Sequence, residues 1–406
     1  MKRIAILITA GSLLAATGIA QSPHYTVIDL GSVGMPPGQP NVITNRGLIA
    51  GAAQTAAGTQ HAVLWYPGQV SPIDIGTPGL NSTARGASDS GLAVGQTQTS
   101  EPSNEDFCAF NAFGFPVPGR SCRAFVWQNG IMTALPTLGG VNGTANMVNN
   151  RGEVAGYAEM GIADPDPACP VSRFAPVIWK NGKPAALPPF PGDADGVAAW
   201  INDLGQAVGA TGSCASLNPN TGAFLSEAHA MLWEADGTWK DLGNLGGSGG
   251  IAGNHACALN NKGQVVGHSE LTNNESFHGF LWQNGVLTDL RTYPGDDNSL
   301  ALGINEAGVV VGASLDAEFT PRALVWQNGA ISDLNAIATS GMYLLLAASI
   351  NADGEIAGLG VTADGLHGFL AKPDRGNSSI SERAARPILS DGDRRLVLRR
   401  LGIRHP

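Results

Sequence analysis

The sequence predicts an all-β fold, a seven-bladed β-propeller with four-stranded blades, because one unit recurs seven times. In each unit a strand of small residues runs into a turn that ends in glycine, and a second glycine follows four residues later. The turn glycines are Gly47, Gly91, Gly152, Gly205, Gly263, Gly308 and Gly354, and the second series is Gly51, Gly95, Gly156, Gly209, Gly267, Gly312 and Gly358. Glycine contributes 55 of 406 residues and charged residues only 14%, which suits tight turns and buried strands. Such units bury their core by stacking on their neighbours.

Each unit holds four short strand candidates, named a to d from the axis outward. In the sixth unit they span residues 300–305, 309–314, 322–326 and 330–334. Strand a is rich in Ala, Gly and Ser, as expected where blades converge and space is smallest. Strands b and c are nearly unbroken apolar runs, which is typical of sheets covered on both faces. Four strands per unit is the number found in a propeller blade.

Strand c carries a five-residue pattern that usually ends in tryptophan. It begins at His61, Arg123, Ala175, His229, His278, Arg322 and His367. This pattern resembles the extracellular HAF repeat family, named for its His-Ala-Phe tripeptide, and the segments 138–140 and 245–247 are similar to the family's Asp-Leu-Gly-x-Leu-Gly-Gly segment. The resemblance covers residues 25–371. It implies a secreted repeat protein and brings no established activity with it.

The chain divides into three parts. Residues 1–20 begin with Lys2 and Arg3, continue with an apolar run and end in small residues, which predicts a secretory signal peptide cleaved after Ala20. We therefore expect a secreted protein, extracellular or periplasmic. Residues 21–371 form the propeller. Residues 372–406 form a basic tail that we expect to be disordered, with contact to a membrane surface, an anionic polymer or the propeller itself as alternatives.

Charge separates the tail from the propeller. Residues 21–371 contain 12 Lys and Arg against 29 Asp and Glu, whereas residues 372–406 contain 9 against 4. An acidic surface without a basic patch repels nucleic acid, so we expect no nucleic-acid partner. Beyond the predicted signal, no apolar run reaches the roughly 20 residues of a membrane span, so we expect no transmembrane segment.

The count of d strands predicts how the ring closes. Strand d occurs seven times, yet the first copy precedes any blade and the seventh unit stops at Leu370 without one. We therefore expect Tyr25 to Leu30 to pair with His367 to Ala371 as the outer strand of blade seven. This pairing would remove an exposed sheet edge.

The connections between strands b and c differ in length from blade to blade. Between the second glycine and strand c there are 9, 27, 18, 19, 10, 9 and 8 residues in units one to seven. The long connections of blades two to four are consecutive and lie on one rim of the ring, and we call them the crest. Loops longer than about 12 residues are uncommon unless they are functional or disordered. We expect the crest to be the binding surface, with neutral elaboration of the surface as the alternative.

Cysteine placement indicates order within the crest. Four of the five cysteines lie there, namely Cys108, Cys122, Cys169 and Cys214. In an exported protein this favours a disulfide between Cys108 and Cys122 and another between Cys169 and Cys214, one of the three pairings that four cysteines allow. Cys257 remains, and we expect it to act as a small buried hydrophobe.

The candidate binding residues are mostly aspartates in the connections from strand d to strand a. Asp193 and Asp195 follow one Pro-Gly pair, and Asp296 and Asp297 follow another. These carboxylates are candidates for holding Ca²⁺ or polarising a substrate near the axis, and ordinary turn residues are the alternative. The remaining candidates are Asp164 and Asp166 in the third blade's insertion, which are weaker, and Trp200, which we expect to line or plug the channel mouth.

The four strand c histidines do not predict a metal centre. His61, His229, His278 and His367 belong to separate blades, and strand c lies roughly 10 Å outside the innermost strand. We expect each to form a structural hydrogen bond and the strand c tryptophans to be blade core. No metal and no cofactor other than the Ca²⁺ alternative is predicted.

The functional expectation is a monomeric, non-enzymatic binding or structural propeller that presents the crest to a glycan, an envelope component or a protein. The sequence holds no nucleophile elbow, zinc helix, phosphate loop or dinucleotide fingerprint. The alternative is a hydrolase or lyase acting on carbohydrate, with the four aspartates around a metal or sugar at the channel mouth. Three or more carboxylate or imidazole groups converging in an axial pocket would favour that alternative.

Overall fold

The computed structural model describes residues 24–31, 34–77, 80–103, 119–165, 169, 171–213, 226–248, 253–272, 274–374 and 386–401. The described chain folds into seven antiparallel sheets that contact their neighbours in a ring. The predicted seven-bladed propeller is therefore confirmed.

The strands of the first six blades follow the chain from the axis outward. Strand β1 (His24–Asp29) precedes them. Blade 1 consists of β2 (Gly34–Ile43), β3 (Ile49–Thr55), β4 (Gln60–Trp65) and β5 (Ile73–Asp74). Blade 2 consists of β6 (Ser82–Ala87), β7 (Ala93–Pro102), β8 (Arg120–Gln128) and β9 (Ile131–Ala134). Blade 3 consists of β10 (Gly143–Val148), β11 (Val154–Glu159), β12 (Phe174–Lys180) and β13 (Lys183–Ala186).

The second half of the ring repeats this order. Blade 4 consists of β14 (Asp195–Ile201), β15 (Ala207–Ser213), β16 (Ser226–Trp233) and β17 (Trp239–Asp241). Blade 5 consists of β18 (His255–Leu259), β19 (Val265–Glu270), β20 (Phe277–Gln283) and β21 (Val286–Asp289). Blade 6 consists of β22 (Asn298–Ile304), β23 (Val310–Leu315), β24 (Pro321–Gln327) and β25 (Ala330–Asp333). After a 3₁₀ helix (Leu334–Ala336) and β26 (Ala338–Thr339), blade 7 continues with β27 (Tyr343–Ile350), β28 (Ile356–Thr362) and β29 (Gly365–Asp374).

Blade 7 is closed by the first strand of the chain. Strand β1 pairs antiparallel with β29, with Val27 opposite Ala371 and Asp29 opposite Phe369, so the predicted shared blade is confirmed. The sequence did not predict β26, which pairs in parallel with the outer side of β1. This fifth strand covers the edge that strand d would otherwise expose.

Both glycine series have a steric cause. The turn glycines lie in the left-handed region, as at Gly308 with φ of 80°, where residues with a Cβ are strained. The second glycine sits opposite the inner strand. A Cβ at Gly312 would collide with the backbone carbonyl oxygen of Leu300. The close contact accompanies a bulge in the inner strand, since pairing skips one residue between Ala301 and Gly303.

In every inner strand the pairing skips the residue that follows the one opposite the second glycine, and this skipped residue is half-buried. The skipped residues are Asn41, Arg85, Asn146, Ala199, Cys257, Leu302 and Ala348. Strands β2 and β27 each contain one further irregularity. Arg85 Nη1 donates to Asn146 Oδ1 at 2.7 Å, and Asn146 Nδ2 donates to the carbonyl of Ala198 at 2.9 Å. Because these bonds join the innermost strands of successive blades, the bulged side chains line the axial channel.

The rim that carries the a-to-b and c-to-d turns, called here the turn rim, is joined by asparagine hydrogen bonds. The Nδ2 group of Asn202 donates to the carbonyl of Asn260 at 3.1 Å, Asn260 to Asn305 at 3.0 Å, and Asn305 to Asn351 at 3.1 Å. Asn351 then donates to the carbonyl of Thr44 at 3.3 Å, across the closure of the ring. This belt links neighbouring blades through buried groups that would otherwise lack partners.

Part of the basic tail is ordered, which differs from the expectation of a disordered tail. Helix α1 (Asp391–Leu401) lies against the propeller. Ser390 caps it, accepting from the Asp393 amide at 3.1 Å and donating to the Asp393 carboxylate at 2.6 Å. Leu389, Val397, Leu398 and Leu401 are buried among residues of blades 5, 6 and 7. The helix is stable because its apolar stripe finds a cover on the propeller.

Candidate functional site

The strand c histidines make hydrogen bonds within or beside their own blades, as predicted. His61 Nδ1 lies 2.7 Å from an oxygen of Asp74, and His367 Nδ1 lies 2.8 Å from Asp29. His278 contacts both oxygens of Asp289 at 2.9 and 3.0 Å. Burial opposes ionisation of Asp289, but the hydrogen bonds from His278 and the Arg291 amide outweigh it, so the Asp289 pKa lies below its usual value.

In blades 1, 5, 6 and 7 the partner of the first residue of the strand c pattern is the last residue of strand d, whereas His229 of blade 4 contacts Asp193 in the connection before its blade. Blades 1, 5 and 7 combine His with Asp, and blade 6 combines Arg322 with Asp333 at 2.8 Å. Blade 3 has alanine at both places, Ala175 and Ala186. In blade 2, strand d ends in Ala134, and Arg123 turns to Glu101 at 3.3 Å. The histidines therefore belong to the scaffold.

The two candidate aspartates of blade 4 have separate structural partners. Asp193 accepts from Thr211 Oγ1 at 2.6 Å and lies 3.0 Å from His229 Nδ1. Asp195 is 1% exposed, and its carboxylate accepts from the backbone N–H of Phe174 in blade 3 at 3.0 Å. Its position is equivalent to that of Asn298, which accepts from the Phe277 N–H at 3.0 Å. Asp195 thus ties two blades together.

The candidate aspartates of blade 6 differ from each other. Asp296 is buried and binds two arginines, Arg322 Nε at 3.1 Å and Arg386 Nη1 at 2.8 Å. Arg386 comes from the tail segment before α1 and also contacts Asp316 at 2.9 Å. Asp297 is exposed. In this structure a tail arginine therefore occupies the Asp296 carboxylate, where the sequence suggested Ca²⁺ or a substrate.

These carboxylates do not converge on one point. Within the described residues there is no group of three or more His, Cys, Asp or Glu side chains that could hold a metal ion. Asp164 is half-buried in the blade 3 connection, and Asp166 lies outside the described residues. The convergence that would favour the hydrolase or lyase alternative is not found among the residues that the structure describes.

The crest begins as ordered extensions of strands b and c. Strand β7 runs to Pro102 and β8 starts at Arg120, and Ser103 N donates to the Gly119 carbonyl at 3.2 Å. In blade 3, Met160 N donates to the Arg173 carbonyl at 2.9 Å and so continues the ladder beyond Glu159. The blade 2 hairpin therefore leaves the rim as a paired stem, and its distal residues 104–118 lie outside the described chain.

The described cysteines agree in part with expectation. Cys122 and Cys169 pack into one apolar cluster with Phe174, whereas Cys108 and Cys214 lie outside the described residues, so the pairing stays a prediction. Cys257 is a free cysteine. It is half-buried because it is the bulged residue of β18, yet burial raises the pKa of its thiol to about 12. Its Sγ lies 3.7 Å from His268 Nδ1.

Trp200 lines a funnel on the axis. The funnel opens on the turn rim and has a volume of about 110 Å³. The candidate aspartates Asp193, Asp195, Asp296 and Asp297 lie in connections on the opposite rim, which also carries the crest and which we call the loop rim. The sequence candidates are thus divided between two ends of the channel.

The tail supplies contacts that sequence reasoning missed. Arg400 is buried at the loop rim and donates through Nη2 to the Pro40 carbonyl and to Asn41 Oδ1, the latter at 3.2 Å. Burial lowers its pKa to about 10. The excess of arginine in an otherwise acidic chain was the available signal, but it does not specify which carboxylates or carbonyls the arginines meet.

Comparisons with known proteins return solved structures of low sequence identity to this chain. No family model matches the chain, and no curated protein matches it. The chain is similar to the Pyrococcus horikoshii acylaminoacyl peptidase, with TM-score 0.43, 14% identity and coverage of 77% of this chain and 48% of that one. It is also similar to a puromycin hydrolase, with TM-score 0.48, 13% identity and coverage of 82% of this chain and 51% of that one. Its similarity to Trypanosoma rangeli sialidase has a TM-score of 0.42 and 11% identity, and covers 86% of this chain and 60% of that one.

These similarities do not carry an activity to this protein. The chain spans about half the length of the peptidase and of the puromycin hydrolase.

No helix among the described residues has the length and apolarity required to cross a membrane.

Proposed function

We propose that this protein is an exported, non-enzymatic binding propeller whose crest recognises a glycan or protein of the cell envelope. One observation carries the proposal. The long gaps between strands b and c fall in three consecutive blades and on one rim. They run from Pro102 to Arg120, from Glu159 to Phe174 and from Ser213 to Ser226. In blade 7 the same connection joins Thr362 to Gly365. Binding loops on a rigid scaffold typically show this contrast.

The chemistry of the candidate carboxylates supports binding over catalysis. Asp195 and Asp296 each have protein partners that hold the scaffold or the tail, and Asp193 is shared between Thr211 and His229. A catalytic acid or base needs access to a substrate proton. Export, the resemblance to HAF repeats and the two disulfides belong to the same proposal, because an oxidising compartment would allow crosslinks to order the crest.

The test removes one crest loop without disturbing the blade. Residues 104–118 are replaced by Gly-Ser-Gly between Ser103 and Gly119, whose backbone groups already form a hydrogen bond across the stem. Cys122→Ser is added so that no unpaired thiol remains. Association with isolated envelope fractions is measured by co-sedimentation, before and after enzymatic removal of glycans. We expect at least about tenfold weaker association, a difference of about 1.4 kcal/mol.

Two controls identify the cause of a loss. Val286→Ser changes an exposed side chain on the turn rim and should leave association unchanged. Cys108→Ser with Cys122→Ser keeps the loop and removes only the predicted crosslink. Unchanged association of the shortened protein would contradict the proposed role of the blade 2 crest.

A further inference from the structure

The funnel on the turn rim lies at the opposite end of the channel from the crest. Its wall is formed by the ends of the inner strands and by the a-to-b turns. Its lining combines apolar residues such as Ile43, Ile201 and Ile304, which are largely buried between blades, with residues that carry amide and carboxylate side chains. The volume of about 110 Å³ is several times the roughly 10–15 Å³ that one water molecule needs on the same measure.

Trp200 distinguishes this funnel from the rest of the inner strands. The positions equivalent to Trp200 in the other blades carry Val42, Gly86, Met147, Ala258, Gly303 and Ser349. The half-buried indole packs against apolar clusters between blades 1 and 2, blades 4 and 5, and blades 5 and 6. It therefore reaches from blade 4 across the axis and presents an aromatic surface to the funnel.

The indole N–H of Trp200 differs from those of four core tryptophans, although Trp127 and Trp282 likewise show no protein acceptor for this group among the described residues. Trp65, Trp179, Trp233 and Trp326 each donate this group to a backbone carbonyl at 2.6 to 3.0 Å. In the part of the chain that the structure describes, Trp200 Nε1 has no such protein acceptor. Aromatic rings of this kind combine a large contact surface with a polar tip, which suits ligand contact.

The charge of the funnel has one sign. Asp89, Asp203 and Glu306 occupy the second position of their turns and line the mouth, and no Lys, Arg or His is among the described residues that line it. Three basic residues, Arg46, Arg151 and Lys262, stand at the next turn position but are not among the lining residues. Arg46 lines a separate cavity, and Arg151 pairs with Glu153 at 2.5 Å. A cleft lined by one sign of charge concentrates counter-ions.

The three carboxylates already accept hydrogen bonds from neighbouring turns, so their main contribution to the funnel is negative charge. Asp203 accepts from the Asn150 N–H and from Asn150 Nδ2, both at 2.9 Å. Asp89 accepts from the Arg46 N–H at 3.1 Å, and Glu306 accepts from the Asn261 N–H at 2.8 Å. In other blades the same position is asparagine, as at Asn45 and Asn261, so the turn does not require the charge.

We propose that this funnel binds an organic ammonium group, either on a small free amine or on a lysine side chain of a partner. The cation would lie over the Trp200 indole, inside the three carboxylates, with its aliphatic body against the isoleucines. Cations bind best to tryptophan among the aromatic side chains. An anion would meet three like charges, and a neutral sugar would gain nothing from them.

The test follows the ¹⁵N-labelled indole signals of the whole mature chain by NMR. The Trp200 signal is assigned with Trp200→Phe, and n-butylammonium chloride is titrated, with glucose as the neutral probe and sodium acetate as the anionic probe. We expect a saturable shift of the Trp200 signal with butylammonium and not with glucose or acetate. Raising the salt concentration should weaken the binding.

The decisive variant combines Asp89→Asn, Asp203→Asn and Glu306→Gln. It keeps one acceptor for each backbone N–H of the turns and removes the charge, together with the acceptors that Asn150 Nδ2 uses on Asp89 and Asp203. We expect about tenfold weaker butylammonium binding, since exposed charges each contribute modestly. Asp364→Asn, an exposed carboxylate on the loop rim, is the matched control and should bind as the wild type does. No saturable shift, equal binding of glucose, or unchanged binding by the triple variant would each overturn the proposal.

A lysine-containing peptide and its acetyl-lysine counterpart separate the two sources of the ammonium group. Stronger binding of the lysine peptide than of butylammonium would assign the site to a partner protein. Weaker binding would assign it to a free amine. Equal binding of the acetylated and unmodified peptides would count against recognition of charge. None of these outcomes depends on the crest, so this site and the proposed function can fail separately.

Discussion

His367 Nδ1 lies 2.8 Å from the carboxylate of Asp29, although 338 residues of sequence separate the two. The pair is the blade 7 version of the His–Asp contact that blades 1 and 5 make between neighbouring strands of one continuous segment. Here the two strands come from opposite ends of the propeller. Closure of the ring thus reuses the blade's own internal contact.

The first prediction concerns the apolar part of that closure. Tyr25 is 2% exposed and packs with Ala338, Val311 and Leu334. Tyr25→Ala should lower the free energy of unfolding by about 3–5 kcal/mol, because it opens a cavity in the core of the shared blade. Asp29→Asn, at a half-exposed carboxylate, should cost about 1 kcal/mol or less. Urea denaturation checks both, and a Tyr25→Ala cost below that of Asp29→Asn would show that β1 is dispensable.

The second prediction concerns the asparagine belt. Asn305 accepts from the N–H groups of Ala307 and Val309 at 3.0 Å and donates to Asn351. Asn305→Ala should cost about 2–3 kcal/mol of unfolding free energy, because it leaves buried backbone groups without partners. Asn305→Ser should cost less, since blade 2 has Ser88 at this place. Equal costs for the two variants would assign the effect to side-chain volume.

The third prediction concerns docking of the tail. Arg386→Ala removes the contacts to Asp296 and Asp316, so amide exchange in α1 should become about tenfold faster, since a partner of a buried carboxylate is lost. Arg395→Ala, at an exposed position of the same helix, is the control. Hydrogen-deuterium exchange with mass spectrometry measures both. Unchanged exchange in Arg386→Ala would mean that the apolar stripe alone holds the helix.

The fourth prediction concerns pH. Burial, followed by repulsion from the nearby His268, lowers the pKa of His255 to about 3, against about 6.5 in an unfolded chain. Between these values only the unfolded chain takes up the proton, so this contribution is complete above about pH 6.5 and is lost as pH falls toward 3. From about pH 7 to 4 the wild type should lose about 3 kcal/mol more unfolding free energy than His255→Gln. Equal losses, measured by denaturation at both pH values, would contradict the assignment.

The fifth prediction concerns thiols. Because burial raises the pKa of Cys257 to about 12, its reactive thiolate is scarce at neutral pH, and iodoacetamide should not label it in the folded protein. After unfolding without reductant, mass spectrometry should find one labelled cysteine, as the two predicted disulfides require. Five labelled cysteines would refute the disulfides, and labelling of folded Cys257 would refute its protection.

The fold was predictable because each of the seven units shows the same two backbone constraints in its sequence. Gly308 and Gly312 mark a left-handed turn and a close strand contact, and six further pairs say the same. Counting d strands was enough to place Tyr25 beside β29. Strand β26 was not predictable in this way, because it occurs once and pairs only after the ring has closed.

The candidate site was predictable only in part. Trp200 was found because its size departs from the small residues of the other inner strands. The role of Asp296 was not, because its partner Arg386 is 90 residues away and in a tail whose composition resembles disordered chain. The bulged residues also escaped, since alternation along a strand does not reveal which residue the pairing skips. A contact that occurs once, between segments far apart in the chain, produces no repeated pattern in the sequence.

The order in which the closing strands are made has a consequence for how the molecule assembles. Strand β1 is synthesised before any blade, and β29 is among the last segments to emerge. Until then β1 offers unsatisfied backbone groups to any other extended chain, so the slowest and most aggregation-prone moment should be this final long-range pairing. Conditions that keep the early segment shielded, such as a chaperone that holds it, should raise the yield of closed rings.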